Sequence, residues 1–286
     1  MTRDGGRGGD GADCAHPPER RRVVTAALNQ HSGEATVLAP ITATLRAMFG
    51  TDRLPGLAPG LTVHDTAGWH PATTLIDGTQ LPALCASANR RWRGAAPHVT
   101  TALAWKAYTY WLALPAVLGW ASARRIPLLT PSDVLVHFAD HRPLVTFGLH
   151  PATNVAILPS DPLAALALPQ VRVAPDEAAL LDLLRDSLLD AHLTPLAERL
   201  STDARLGRRT LLGSLASGVA HGLIRATDTV PGPIAETIDT LLRALNVADL
   251  VDLVPGRSGE LTVQRKTCCL AFALPQPKVC TGCCIR

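Results

Sequence analysis

Five of the seven cysteines in this 286-residue chain lie between positions 268 and 284. They read Cys268-Cys269, ten residues, then Cys280-Thr281-Gly282-Cys283, with Cys284 immediately after. The pair Cys280 and Cys283 forms a two-thiolate chelate. Gly282 lets that loop turn tightly and aims backbone N–H groups at sulfur, which favours the thiolate. Cys268 and Cys269 are neighbours, and in a regular strand they would point to opposite faces. Ligating one centre together requires an irregular backbone there. The connection carries Pro275 and Pro277 and is long enough to fold back so that the two halves meet.

Four thiolates arranged in this way have several fates. Structural zinc usually takes two Cys-x-x-Cys-type knuckles, and this chain has one. A [4Fe–4S] ferredoxin run is denser and ends in Cys-Pro. A [2Fe–2S] cluster needs two thiolates on each iron. The spacing favours [2Fe–2S], and leaves zinc and a redox dithiol made of vicinal thiols open. Cys14 lies in a polar stretch and has no apparent role, and Cys85 on a helix reads as a small buried hydrophobe.

The rest of the chain must hold these arms. Apolar residues make up 47% and charged residues 18%, the balance of a globular body. A net charge of +3 gives no electrostatic argument for nucleic acid. The Gly- and Arg-rich opening carries no apolar run, so no signal peptide is expected, and a reducing compartment follows. Clustered cysteines there point to metal before disulfides.

Residues 1–22 read as a disordered tail, 23–258 as a helical, α+β body that binds the substrate, and 259–286 as a C-terminal cluster-binding segment. The fold class expected is α+β, predominantly helical, with a small antiparallel sheet. Helices are expected at Val23–Gln30, Ile41–Phe49 (ended by Gly50) and Leu81–Trp92. Leu54-Pro55-Gly56-Leu57-Ala58-Pro59-Gly60 reads as a loop. Thr101–Ala121 is the most apolar segment. Lys106 and Pro115 interrupt it, so it reads as a buried central helix rather than a membrane span. Its aromatic residues, from Trp105 to Trp120, suit core or one wall of a ligand pocket.

Val134–Phe138, Leu144–Leu149, Asn154–Leu158 and Val171–Val173 read as strands, with a turn at Asp140-His141-Arg142-Pro143. His137, His141 and His150 do not share a helix, so their spacing makes no metal site. Helices return at Pro175–Leu200, Thr210–Ala226 and Ile234–Leu245. The middle one is nearly bare of side chains at Gly213, Ser214, Ala216, Ser217, Gly218 and Ala220, which suits close packing. Pro255–Gly259 is a turn, and Glu260–Arg265 is a strand leading into the cysteines.

The pattern Cys-Cys-x10-Cys-x-x-Cys resembles that of the FhuF-like ferric-siderophore reductases, in which four cysteines hold a [2Fe–2S] cluster. The resemblance places that cluster on Cys268, Cys269, Cys280 and Cys283, with Cys284 extra. Arg265-Lys266-Thr267 is similar to the basic-basic-Ser/Thr lead-in of that family. Leu212-Gly213-Ser214-Leu215-Ala216-Ser217 resembles its small-residue helix, with Leu212 and Ser214 replacing Trp and Asn. His192-Leu193-x-Pro195-Leu196 is also similar.

The resemblance implies one-electron reduction of Fe(III) in a siderophore, often a hydroxamate, in the cytoplasm. No catalytic residue beyond the cluster is implied. The chain has no G-x-S-x-G elbow, no P-loop and no G-x-G-x-x-G fingerprint. Electrons must then come from an external donor, such as a ferredoxin or an NAD(P)H-dependent reductase. Arg265, Lys266 and Lys278 read as surface charges that steer an acidic donor or attract an anionic chelate, or as ordinary solvated groups. No nucleic acid and no transmembrane span are expected, which leaves room for peripheral membrane contact. Two rival readings stand beside this one: a structural or interaction protein with a zinc knuckle, and a siderophore-handling relative without reductase activity.

Overall fold

The computed structural model of the chain describes residues 37–138, 144–256, 258–280 and 282–285. The expected tail, the helix expected at Val23–Gln30, Cys14 and the turn at 140–143 with His141 lie outside the described residues. Helix α1 covers residues 37–49, with Ile41 and Leu45 buried. Gly50 closes it at a φ of 67°, where a glycine carries no steric penalty, and donates to the Arg46 carbonyl at 2.8 Å.

Strand β1 (Leu57–Thr62) occupies the stretch that the sequence presents as a loop. Pro59 and Gly60 hide it. It lies at the edge of its sheet, and its pairing shifts register between Leu57 and Thr62. An edge strand tolerates a residue with no N–H. Short β2 (His70–Pro71) and α2 (Thr73–Ile76) follow, then α3 (Leu81–Arg91), which matches its expected span.

The most apolar stretch becomes α4 (Pro97–Ala123), which begins with proline and runs through Pro115. It ends at Arg124, whose left-handed backbone lets the Arg124 and Arg125 N–H groups reach the last carbonyls. Trp105, Tyr108 and Trp120 are buried in the core, whereas Tyr110 and Trp111 are half-buried against it. Among the described residues no helix is long and apolar enough to cross a membrane.

Strands β3 (Ile126–Pro127), β4 (Val134–His137), β5 (Thr146–Leu149), β6 (Val155–Ile157) and β7 (Val171–Val173) make two small sheets, ordered β1-β5-β4-β2 and β3-β6-β7. The pairs β4–β5, β2–β4 and β3–β6 are antiparallel, and of these only β4–β5 is joined by the short connection that leads to that expectation. The pairs β1–β5 and β6–β7 are parallel. The sheets are therefore mixed. Parallel pairing needs a crossover, and β6 reaches β7 through the 3-10 turn Pro162–Leu166.

Helix α5 (Glu177–Leu184) continues into a π-helical stretch, Arg185–Leu193, and then α6 (Thr194–Ala204) with Pro195 in its first turn. The wider π turn puts Leu188, Leu189, His192 and Leu193 together in the interior. Helix α7 (Arg208–Arg225) packs along α4. A Cβ added at Gly218 would stand 3.5 Å from the Tyr110 Cα, so the bare face of α7 permits close approach to α4. The Trp105 indole N–H also donates across this seam to the Leu211 carbonyl at 2.8 Å. Along α7, Leu211, Leu215, Val219 and Leu223 are buried, each stabilising the fold by roughly 1.5–3 kcal/mol through burial. Helix α8 (Ile234–Ala244) and the antiparallel hairpin β8 (Val251–Pro255) and β9 (Leu261–Arg265) complete the fold. The boundary drawn at 258/259 falls in the turn of that hairpin. The architecture is α+β and predominantly helical.

Candidate metal centre

Strand β9 carries the first cysteine arm and holds the second. Its side chains alternate, so Leu261, Val263 and Arg265 share a face, with Val263 and Arg265 buried. After Arg265 the Lys266 N–H bonds the Leu250 carbonyl at 3.0 Å, and the chain leaves the strand. Leu270 takes a left-handed backbone, φ 61°, and its N–H points at Cys268 Sγ at 3.3 Å. This is the irregular backbone that neighbouring cysteines require to serve one place. A 3-10 turn over Ala271–Ala273 reverses the chain, and its Ala271 carbonyl accepts from the Lys278 N–H at 3.0 Å.

The second arm docks on β9 edge-on. The Arg265 N–H donates to the Gly282 carbonyl at 2.9 Å, and Gln264 Nε2 donates to the Cys283 carbonyl at 3.0 Å. Cys283 N–H closes the loop on the Cys280 carbonyl at 3.2 Å. A Cβ at position 282 would overlap the Val263 carbonyl, so close approach demands glycine there.

The described thiols are free, with Cys269 and Cys283 buried and Cys268, Cys280 and Cys284 half-buried. Cys269 interacts side chain to side chain with Cys280, and Cys268 with Cys284. Cys283 lies within electrostatic reach of Cys280 and Cys284. The structure thus places Cys284, rather than Cys283, against Cys268. Among the described residues no three His, Cys, Asp or Glu side chains are gathered as a set that could hold a metal ion.

Charge and hydrogen bonding distinguish the thiols. Burial pushes Cys269 up, but the Ala271 N–H and the Lys106 and Arg265 charges outweigh it, and its pKa falls below the usual thiol value. Burial and the adjacent Cys269 raise Cys280, although Lys106 opposes the shift. Burial and the neighbouring Cys268 and Cys283 raise Cys284. Cys269 therefore ionises more readily than an ordinary thiol, while Cys280 and Cys284 ionise less readily, as thiols do when crowded together.

Two cations act on these thiols, half-buried Lys106 on Cys269 and Cys280 and Arg265 on Cys269, and the second is withdrawn from water. Arg265 is only 3% exposed. Its Nη1 donates to Ser217 Oγ at 2.9 Å, its Nη2 to Ser214 Oγ at 3.3 Å and its Nε to the Thr267 carbonyl at 3.2 Å. Among the described residues no carboxylate pairs with it. The Thr267 hydroxyl beside it is buried without a hydrogen-bond partner, packed where a Cβ on Gly213 would stand. The reading of Arg265 as a surface charge is thus corrected, because strand alternation turns it inward onto α7. Lys266 does point outward and pairs with Asp252 at 2.7 Å, and Lys278 is exposed. Ser214, which stands in place of an Asn in the resembling helix, has a contact of its own here.

In chemical type, though not gathered as a set of three among the described residues, the donors suit a thiolate-bound metal group. The donors are soft thiols, a buried cation waits without an anion, and an orphaned hydroxyl lies next to the first arm. A second buried polar site is complete in itself. His192 Nδ1 donates to the Leu129 carbonyl at 2.8 Å, which leaves Nε2 to accept from the Tyr108 hydroxyl at 2.6 Å. Burial lowers the His192 pKa to about 4, partly offset by the Leu129 carbonyl, and pushes the Tyr108 phenol up. His137 packs on Trp69, and His150 Nδ1 accepts from the Ala152 N–H. Cys85 is half-buried, and burial raises its pKa.

No curated protein matches the chain. The model of one family, described as "Ferric iron reductase FhuF-like transporter", matches residues 103–249, just over half of the chain. The match runs from α4 through α8 and stops before β8, so the cysteine arms lie beyond it. Over those residues it covers α7, whose serines hold Arg265, and His192 with its tyrosine. The chain belongs to the FhuF-like ferric iron reductase family.

Proposed function

We propose that the protein is a ferric-siderophore reductase that delivers one electron to Fe(III) in a hydroxamate-type siderophore and so releases Fe(II). The cofactor would be a [2Fe–2S] cluster held by Cys268, Cys269, Cys280 and Cys283. The observation that carries this reading is that one strand, β9, brings both cysteine arms to the same place beside a buried, acid-free arginine. When bound, such a cluster supplies one-electron transfer at a potential set by charge, hydrogen bonds and exposure.

The chain's own residues do the rest. β9 fixes the spacing of the arms, and Gly282 permits their approach. Lys106 and Arg265 favour the thiolate at Cys269, and the Leu270 N–H is directed at the sulfur of Cys268. Half-buried Cys268 and Cys280 leave the site near the surface, within reach of both a donor and a bulky chelate. Hard oxygen donors hold Fe(III) far more tightly than Fe(II), so reduction frees the metal without cutting the ligand. The electrons come from outside, from a ferredoxin or a nicotinamide-dependent reductase, since the sequence has no dinucleotide fingerprint.

Anaerobic purification tests the cofactor directly. Equal amounts of iron and acid-labile sulfide, with visible absorption that bleaches on reduction, are expected. The reduced protein should then convert a ferric hydroxamate to Fe(II), trapped by a ferrous chelator. A colourless protein with stoichiometric zinc would overturn the proposal in favour of a zinc knuckle. A loaded protein that accepts electrons yet leaves ferric hydroxamates intact would make it a siderophore-handling relative without reductase activity.

A further inference from the structure

We infer that Arg265 is the built-in counter-ion of an anionic metal–thiolate centre, and that it eases reduction of that centre. A guanidinium withdrawn from water is costly unless an anion or a full set of hydrogen bonds meets it. Arg265 meets two serine hydroxyls and a carbonyl, all neutral. Elsewhere the same protein solves the problem differently. Arg125 is also largely withdrawn from water and takes Asp161 in a two-point contact, 2.6 and 3.0 Å.

What Arg265 lacks is close by. Its Nε donates to the carbonyl of Thr267, the residue before Cys268, and its own backbone N–H holds the Gly282 carbonyl of the second arm. The guanidinium is fixed at three points and cannot swing to solvent to find another partner. The unpartnered Thr267 hydroxyl lies in the same layer. A tetrathiolate cluster is anionic when oxidised and gains one further negative charge when reduced. A fixed positive charge therefore favours the reduced form more than the oxidised one. Ser214 and Ser217 act as positioning residues that aim the charge.

The inference rests on the proposed function in one respect, that the thiols hold a metal. The test compares the loaded and metal-free forms of the full chain. With Arg265→Met, the ratio of reduced to oxidised centre at a fixed poise should fall at least about tenfold, a shift of about 59 mV for one electron. The metal-free variant should melt no lower than metal-free wild type, so the gain in melting temperature on loading shrinks. Arg265→Lys keeps the charge and should restore most of the potential. Lys266→Gln, on the outward face, should change neither quantity.

Unchanged potential in Arg265→Met, with equal losses of stability in loaded and metal-free forms, would show a purely structural arginine. So would an Arg265→Met chain that fails to fold without metal, or an Arg265→Lys chain no better than Arg265→Met. If wild type loads zinc instead of iron and sulfide, the proposed function fails. The counter-ion assignment is then decided by the same melting gap measured with zinc.

Discussion

Two arginines in this protein leave the water, and they do so in opposite ways. Arg125, just past the end of α4, is clasped by Asp161 and also reaches the Val37 carbonyl. Arg265, at the end of β9, reaches α7 and finds only serine hydroxyls. The side chain is the same, Arg265 is the more deeply buried of the two, and the partners differ. The first site is electrically closed and ties α1, α4 and the β6–β7 crossover together. The second has no acid partner among the described residues, and its Nε reaches the carbonyl just before the first cysteine arm. Closure marks a residue kept for the fold. An open buried charge marks a residue kept for something that arrives later.

The comparison can be broken or sharpened by substitution. Removing the acid from the closed site, Asp161→Ala, should strand Arg125 and cost about 3–5 kcal/mol in chemical denaturation. If it costs less than 1 kcal/mol, the closed pair is not holding the fold and closure is not what separates the two sites. The neutral closed site gives the next largest effect, through pH. His192 binds its proton near pH 4 when folded and near the ordinary histidine value when unfolded. Its folded pKa is depressed, so its contribution is complete above about pH 6.5 and is lost as pH falls towards 4, to a total of about 3 kcal/mol. Denaturation curves across that window should show His192→Gln losing less than wild type on acidification.

A third change converts the open site into a closed one. Ser217→Asp places a carboxylate against the Arg265 guanidinium. It should stabilise metal-free protein by about 1–3 kcal/mol, read by thermal or chemical melting. The same change should make a bound cluster harder to reduce, read by redox titration. The smallest effect belongs to Lys266→Gln, which breaks an exposed pair with Asp252 and should cost at most about 1 kcal/mol in the same melting experiment.

Much of this was legible in the sequence, for reasons that differ by element. α4, α7 and α8 show themselves through helical period and length, and Gly50 marks the end of α1. β4 to β7 show themselves through short β-branched runs. β1 does not, because Pro59-Gly60 is loop chemistry and only its place at a sheet edge makes it a strand. The parallel pair β1–β5 joins segments far apart in sequence, and β6–β7 is parallel despite its short connection because the 3-10 turn Pro162–Leu166 carries the chain back across. The cysteine pattern is local and stands out at once.

The environment of those cysteines is tertiary and does not. One signal was nonetheless available: Leu261, Val263 and Arg265 alternate on one face of a strand, so an apolar neighbour at each earlier position turned Arg265 inward. Ser214 and Ser217, one helical turn apart, were the matching half of that signal. The pairing of Cys268 with Cys284 could not be read from spacing, since it follows from how the second arm lies along β9.

Electron transfer is slowed when surrounding dipoles must turn to accommodate the new charge. Water at a surface turns a great deal. A guanidinium pinned to two serines of one helix and to a backbone carbonyl has already taken its final position, so it answers an added electron without moving. The helix that pins it, α7, is itself packed along α4 at glycine-close range, which makes the mounting rigid. With the proposed cluster bound at a site built in this way, the speed of transfer would be left to distance and driving force, and little of it spent on rearranging the protein.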